Sequence, residues 1–130
     1  MKAKQILWAG ALVGAYYFLM CRSARTLPPQ QPLVRLAELE IDPAQLDDYK
    51  AALKEEIAAS IQREPGVLKL YAVSVKDHPN QIRLFEMYQD QASYEVHLNS
   101  SHFRRYKLAT EKMVKSLWLI ETEPLLLGSR

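Results

Sequence analysis

Between Leu33 and Leu126 the spacing of the apolar residues switches in a fixed order, and that order leaves few folds open. "LVRLAELEI", residues 33–41, alternates loosely, as a strand does. "DPAQ", 42–45, is a helix start, with Asp42 as N-cap, Pro43 at the first helical position and Gln45 three residues after the cap. Leu46, Tyr49, Leu53, Ile57 and Ile61 then follow at spacings of 3, 4, 4 and 4. That stripe predicts a helix ending near Arg63, where Glu64-Pro65-Gly66 breaks it. "VLKLYAVSV", 67–75, and "IRLFEMY", 82–88, read as strands joined by turn chemistry at 76–81, an antiparallel hairpin. Asp90 caps a short helix through 91–98, and "NSS" at 99–101 interrupts it. Phe103, Tyr106, Thr110, Met113 and Leu117 mark one face of a second helical segment. "WLIETEPLL", 118–126, closes the series as a last strand.

The order β-α-β-β-α-β predicts an α+β, ferredoxin-like domain: an antiparallel four-stranded sheet with its helices on one face. Water on the other face would require polar residues at alternate strand positions. Instead, on 67–75, Leu68, Leu70 and Ala72 alternate with Val67, Tyr71, Val73 and Val75. Both faces want cover, and a second copy of the sheet supplies it, so a homodimer is expected.

The N-terminus has a different character. Lys2 and Lys4 precede residues 6–20, which hold no charged side chain, and Arg22 and Arg25 follow. Residues 1–25 therefore read as a signal or membrane-anchor helix, and whether it is cleaved stays open, as does its orientation. Trp8, Tyr16 and Tyr17 suit interface anchoring. The expected location is the membrane or beyond it, periplasmic or otherwise extracytoplasmic. Residues 26–32, "TLPPQQP", are a Pro/Gln linker. The domain spans 33–126, and 127–130 form a tail. Residues 1–32 carry four basic side chains and no acid, so the rest is mildly acidic and offers no basic stripe for nucleic acid. A lone Cys21 excludes an intrachain disulfide and any cysteine metal cluster.

"REPGVLKLYAV" at 63–73 and "RLFEMYQDQASYEVHLNSSHF" at 83–103, with the final strand, resemble the antibiotic biosynthesis monooxygenase (ABM) domain family over about residues 33–125. The resemblance rests on Glu-Pro-Gly ending the first helix, a Phe-Glu-x-aromatic strand and a His-Leu-x-x-x-His-Phe joint. It implies a dimeric αβ barrel with a small apolar pocket between sheet and helices. It also implies a monooxygenase or oxidase of quinol- or polyphenol-type aromatics that needs no metal, haem or flavin. Relatives isomerise small signal molecules, degrade haem or have no known activity, so the family fixes the fold better than the function. Haem-degrading relatives use an Asn on the first strand, a Trp on the short helix and a His on the next. Here residues 33–41 hold no Asn, His97 takes the Trp position and Lys107 the later one, all against haem degradation. A non-catalytic, membrane-tethered dimeric binding module and an isomerase of a small signal molecule are the alternatives.

His97 and His102 are the expected catalytic pair, because a neutral imidazole takes a proton from a phenol or enol near working pH. His78, beside Pro79, reads as solvated. Asn99 is expected to donate to a ketone oxygen, its competing role being an end cap. Glu86, in an otherwise apolar strand, must be paired or have a raised pKa, with Arg35, Arg104 or Arg105 as partners. Tyr71, Tyr88, Phe103 and Tyr106 are the expected ring-binding residues, against plain core. A metal site is not expected, since the His97–His102 spacing crosses a helix break and the glutamate reads as distant.

Overall fold

A computed structural model describes residues 31–128. Strand β1 (Leu33–Ile41) leads through a one-turn 3-10 helix (Pro43–Gln45) into helix α1 (Leu46–Arg63). Strands β2 (Val67–Val75) and β3 (His78–Tyr88) form a hairpin. Helices α2 (Gln91–Asn99) and α3 (Ser101–Thr110) follow, and strand β4 (Val114–Glu121) ends the domain. The sheet order is β2-β3-β1-β4 with every pair antiparallel, the ferredoxin-like arrangement expected from the sequence.

Register assigns the two faces. Arg35 pairs with Glu86, Ala37 with Leu84 and Leu39 with Ile82, so these side chains share one face. Ala37, Leu39, Ile41 and Ile82 pack there with Tyr49 and Leu53 of α1 to form the core. The alternate set, Leu36, Tyr71, Val73, Phe85, Trp118 and Ile120, lies on the open face. Tyr71 is 57% exposed and Trp118 72% exposed, and Tyr71 stacks on Phe85 at 6.2 Å. The second face therefore exposes large apolar groups around the Glu38–Arg83 ion pair, while Val34 and Met87 on the same face are buried.

Three local expectations change. The hairpin turn is only Lys76–Asp77, because β3 begins at His78 and Val75 pairs with His78. Asp77 takes φ 65°, a left-handed value that aspartate tolerates. Pro79 fits a strand here because it precedes the first residue paired with β1, Gln81, so no ladder bond to that strand is lost. Helix α3 stops at Thr110, and Leu117 belongs to β4, which runs 114–121 in place of 118–126. Two bonds mark that boundary: a local turn bond from Met113 N–H to the Thr110 carbonyl, and a tertiary one from Asp42 N–H to the Met113 carbonyl. Third, the buried line of α1 is Tyr49, Leu53, Glu56 and Ser60, while Ile61 is 51% exposed. The stripe turns onto polar residues in its second half.

The anchor or signal expected at residues 1–25 lies outside the described residues, as do most of the linker and the end of the tail. Among the described residues no helix is long and apolar enough to cross a membrane.

The chain between α1 and β2 passes close to α2. A Cβ built on Gly66 would meet Ser93 Oγ at 2.3 Å and Ser93 Cβ at 2.5 Å. The Gly66 carbonyl also accepts from Gln89 N–H at 2.8 Å, which holds it in place. Gly66→Ala is expected to destabilise the domain by about 1–3 kcal/mol, the usual range for overpacking. Urea unfolding of the parent and the variant measures it, and equal midpoints would refute the close approach.

Candidate functional site

Glu64 caps the C-terminus of α1, where its backbone N–H still bonds the Ser60 carbonyl at 2.9 Å. Its side chain turns inward and is 7% exposed. One oxygen, Oε1, meets His97 Nδ1 at 3.1 Å and His102 Nε2 at 2.5 Å. The two histidines reach it from different helices, and the helix break makes this possible. Ser100 ends α2 with its N–H on the His97 carbonyl, and its Oγ accepts from Phe103 N–H to start α3. His97 and His102 therefore sit on either side of one joint, both buried, their rings turned to the same carboxylate.

Burial works to raise the Glu64 pKa, but hydrogen bonds from His102 and His97 outweigh it and hold the carboxyl below its ordinary range. Glu64 is thus an ionised acceptor, and each imidazole presents an N–H to it. In a neutral His97 ring this sets the tautomer, with the proton on Nδ1 and the lone pair on Nε2. Nε2 lies 3.8 Å from Glu56 Oε1, which accepts from Ser60 Oγ at 2.6 Å. Glu56, Ser60 and Glu64 thus form a polar line along α1 at four-residue spacing, facing the two histidines.

His97 and Glu56 also line a cavity of about 740 Å³ between the sheet and the helix layer. Its walls are mostly apolar, with Leu39 and Leu84 from the sheet, Leu53 from α1 and Leu98 from α2. Among the expected site residues, Tyr71, Glu86, Phe103 and Tyr106 border it as well. Phe103 packs its ring 4.6 Å from that of His97. Tyr106 shares a 2.8 Å hydrogen bond with Tyr49, tying α3 to α1. Tyr71 borders the cavity, but strand alternation and its stacking on Phe85 send its ring to the open face.

Three expected residues stand elsewhere. His102 does not line the cavity and acts through Glu64. Tyr88 is fully buried outside the cavity lining, its ring 5.3 Å from His97, and its hydroxyl bonds Glu86 Oε2 at 3.0 Å. Asn99 is exposed, donates to the Glu95 carbonyl at 2.8 Å and does not line the cavity.

Among the described residues, Glu86 has no arginine hydrogen bond. Arg35 bonds Glu121 at 2.9 Å and lies 4.2 Å over the Tyr94 ring, and Arg105 pairs with Glu55. Burial raises the Glu86 pKa, against the Tyr88 hydrogen bond that lowers it. Burial also pushes the hydroxyls of Tyr88 and Tyr106 above the ordinary tyrosine range, so both remain donors.

Glu56 and Glu64 were missing from the sequence expectation. Their signal was a polar line at i, i+4 and i+8 beside the apolar stripe. The metal expectation also needs correcting in its geometry. The helix break does not separate the histidines, and Glu56, His97 and His102, all buried, place one potential ligand atom each within 4.8 Å of the others.

The two glutamates should respond oppositely to pH. The Glu64 pKa is lowered on folding, so its contribution is full above the ordinary 4.5 and is lost as pH falls through the folded value. The Glu86 pKa is raised, so its contribution is present below 4.5 and is lost as pH rises through the folded value. Glu64→Gln is expected to cost on the order of 2–3 kcal/mol at pH 7, the scale of a charge-assisted hydrogen bond, and less toward pH 3. Glu86→Gln should stabilise the domain at pH 7 and lose that gain at low pH. Denaturant unfolding of both variants across this pH range checks the crossing, and parallel curves would exclude it.

The comparisons agree with this geometry. The family model described as "Antibiotic biosynthesis monooxygenase" matches residues 32–108. A candidate antibiotic biosynthesis monooxygenase from Bacteroides thetaiotaomicron is 46% identical, with a TM-score of 0.74, over 77% of this chain and 95% of that one. A candidate monooxygenase from Lactobacillus acidophilus is 28% identical with a TM-score of 0.67, over 69% of this chain and 44% of that one. A Pseudomonas aeruginosa protein shares the fold at 21% identity and a TM-score of 0.70, over 77% of this chain and 100% of that one. No curated protein matches the chain. The family match covers more than half of the sequence and takes in Glu64, both histidines and most of the cavity wall, so the chain belongs to the antibiotic biosynthesis monooxygenase family.

Proposed function

We propose that the protein is a cofactor-independent monooxygenase or oxidase of quinol- or polyphenol-type small aromatics, with His97 as its base. The observation that carries this reading is the tautomer lock. Glu64 holds the Nδ1 proton of His97 while Nε2 stays free beside an apolar cavity. A phenol entering the cavity gives its proton to Nε2, and Glu64 stabilises the imidazolium that forms. The phenolate then supplies the electrons. As an oxidase, the protein takes two electrons and two protons from a quinol to O₂, giving quinone and hydrogen peroxide. As a monooxygenase, it takes all four electrons from the quinol: the O–O bond breaks, one oxygen inserts at a ring C–H to give a hydroxyquinone, and the other leaves as water with the two phenolic hydrogens. Phe103 packs against the base, and Glu86, whose carboxyl burial makes harder to ionise, borders the cavity within reach of a second oxygen on the ring.

The active unit in this reading is a homodimer whose subunits meet through the open sheet faces. Tyr71, Val73 and Trp118, all more than half exposed, support it, since a lone domain seldom leaves such a patch in water. The N-terminal segment would hold the domain at or beyond the membrane, where lipid-soluble quinols collect.

The full-length protein, supplied with hydroquinones in air, should consume O₂ in the presence of chelator. His97→Ala should lower kcat/KM by about 10²–10⁴, the range for a general base. O₂ uptake no faster than autoxidation for every substrate would refute the enzyme reading and favour the binding module. In sedimentation, the parent should run as a dimer and Tyr71→Asp/Trp118→Asp as a folded monomer. A parent at monomer mass would exclude the sheet-to-sheet interface.

A further inference from the structure

We propose that Glu56, His97 and His102 form a binding site for a divalent cation of the zinc type, and that occupancy silences the base. The silencing clause rests on the function proposed above, whereas the site itself does not. The three side chains are buried, and their ligand atoms lie within 4.8 Å of one another. Zinc takes nitrogen and carboxylate oxygen at about 2.0–2.2 Å, so two ligands on one ion stand at most about 4.4 Å apart. The His97 Nε2 to Glu56 Oε1 separation of 3.8 Å already meets that limit. It is too long for a hydrogen bond and suits a shared ion. Closing the third arm needs only a small shift of one side chain.

The surroundings are the stronger argument. A histidine that ligates a metal almost always donates its other ring N–H to a carboxylate or carbonyl, which fixes the tautomer and aims the ring. Both histidines do this here, through one acceptor. Glu64 Oε1 takes His97 at Nδ1 and His102 at Nε2. For His97 that leaves Nε2, the atom 3.8 Å from Glu56 Oε1, as the ligand atom. The carboxylate ligand is held in the same manner, by Ser60 Oγ on Glu56 Oε1. A second observation points the same way. The other Glu64 oxygen, Oε2, is buried without a hydrogen-bond partner, an excess of negative charge that a cation beside the two histidines offsets.

Three protein ligands leave a fourth position open, and His97 and Glu56 both face the cavity, so that position opens toward it. A cation bound there takes the Nε2 lone pair that would otherwise accept the substrate proton. Two imidazoles and a carboxylate favour zinc or a later first-row ion over magnesium or calcium, which prefer all-oxygen sites.

The test uses the full-length, tag-free protein, stripped with chelator and titrated with Co(II) as a visible probe and Zn(II) by calorimetry. The expected result is one ion per chain, with no response to Mg(II). Glu56→Gln keeps an oxygen for Ser60 and should weaken Zn(II) binding at least tenfold, about the loss seen for disturbed metal shells. Glu86→Gln, in the same cavity but outside the triad, should bind as the parent does. The parent also carries its own control: Co(II) should shift the ring protons of His97 and His102 and leave those of exposed His78 unmoved. No binding, full-strength binding by Glu56→Gln, or a shift at His78 alone would overturn the site. Turnover without metal binding would leave the function standing and the site refuted. Metal binding without turnover would establish the site and remove the silencing clause. Metal binding with undiminished O₂ uptake would remove that clause alone.

Discussion

The site and the helix layer both depend on one carboxylate, Glu64, buried at the end of α1 between two imidazoles. A lone buried carboxylate would be neutralised or expelled, because desolvation of the charge outweighs most of what packing returns. Two charge-assisted hydrogen bonds to a single oxygen reverse that balance and leave Glu64 easier to ionise than in water. The requirement is mutual. The carboxylate stays buried only while α2 and α3 each deliver a histidine, and the helices hold this angle only while the carboxylate receives them. Ser100, with one cap for each helix, is the hinge that keeps both rings on one point. A continuous helix through 91–110 would carry His97 and His102 on faces five residues apart in phase, and they would not meet.

How much of this the sequence disclosed depends on how local each cause is. Asp42, Pro43, the Glu-Pro-Gly break and the caps at Asp90 and Ser100 act within a few residues, so the element order could be read directly. The family match rests on the same segments. The start of β4 could not be read, because Met113 and Leu117 continue a helical spacing that only distant contacts interrupt. The backbone bond from Asp42 N–H to the Met113 carbonyl decides the matter. The second half of α1 hid its inner face for another reason. Ile57 and Ile61 extended the apolar stripe, yet Glu56 and Ser60 are what the fold buries, bonded to each other and turned toward His97 from a distant helix. Polar groups buried for the sake of a partner leave no mark in a hydrophobicity pattern.

The same reasoning divides the candidate residues. His97 was named for its chemistry and does face the cavity, whereas His102 was named beside it and acts at one remove. Glu86 was named because a carboxylate in an apolar strand must have a partner. The arginine expected from charge matching is engaged with Glu121, and a tyrosine hydroxyl two residues along the same strand takes its place. Glu64 and Glu86 therefore have opposite electrostatic fates within one region, easier to ionise at the helix joint and harder to ionise at the sheet. Separated pKa values of this kind let a single cavity accept a proton at one wall and donate a hydrogen bond at another.

Strand β3 joins these two functions to the surface of the domain. Along it Phe85 and Met87 point to the open face, while Leu84, Glu86 and Tyr88 point to the helices. Glu86 and Tyr88 support the cavity side, so any displacement of this strand reaches the site. A second subunit pressed on the open face would hold β3 from behind, because Tyr71 and Phe85 already form a stacked platform there. The cost of leaving that platform in water and the need for a rigid, dry cavity wall have the same remedy. A second copy docked on the open face, as proposed, would therefore bear on the site as well as on solubility, and substitutions on the outer face of β3 should be read for their effect on the site beneath it.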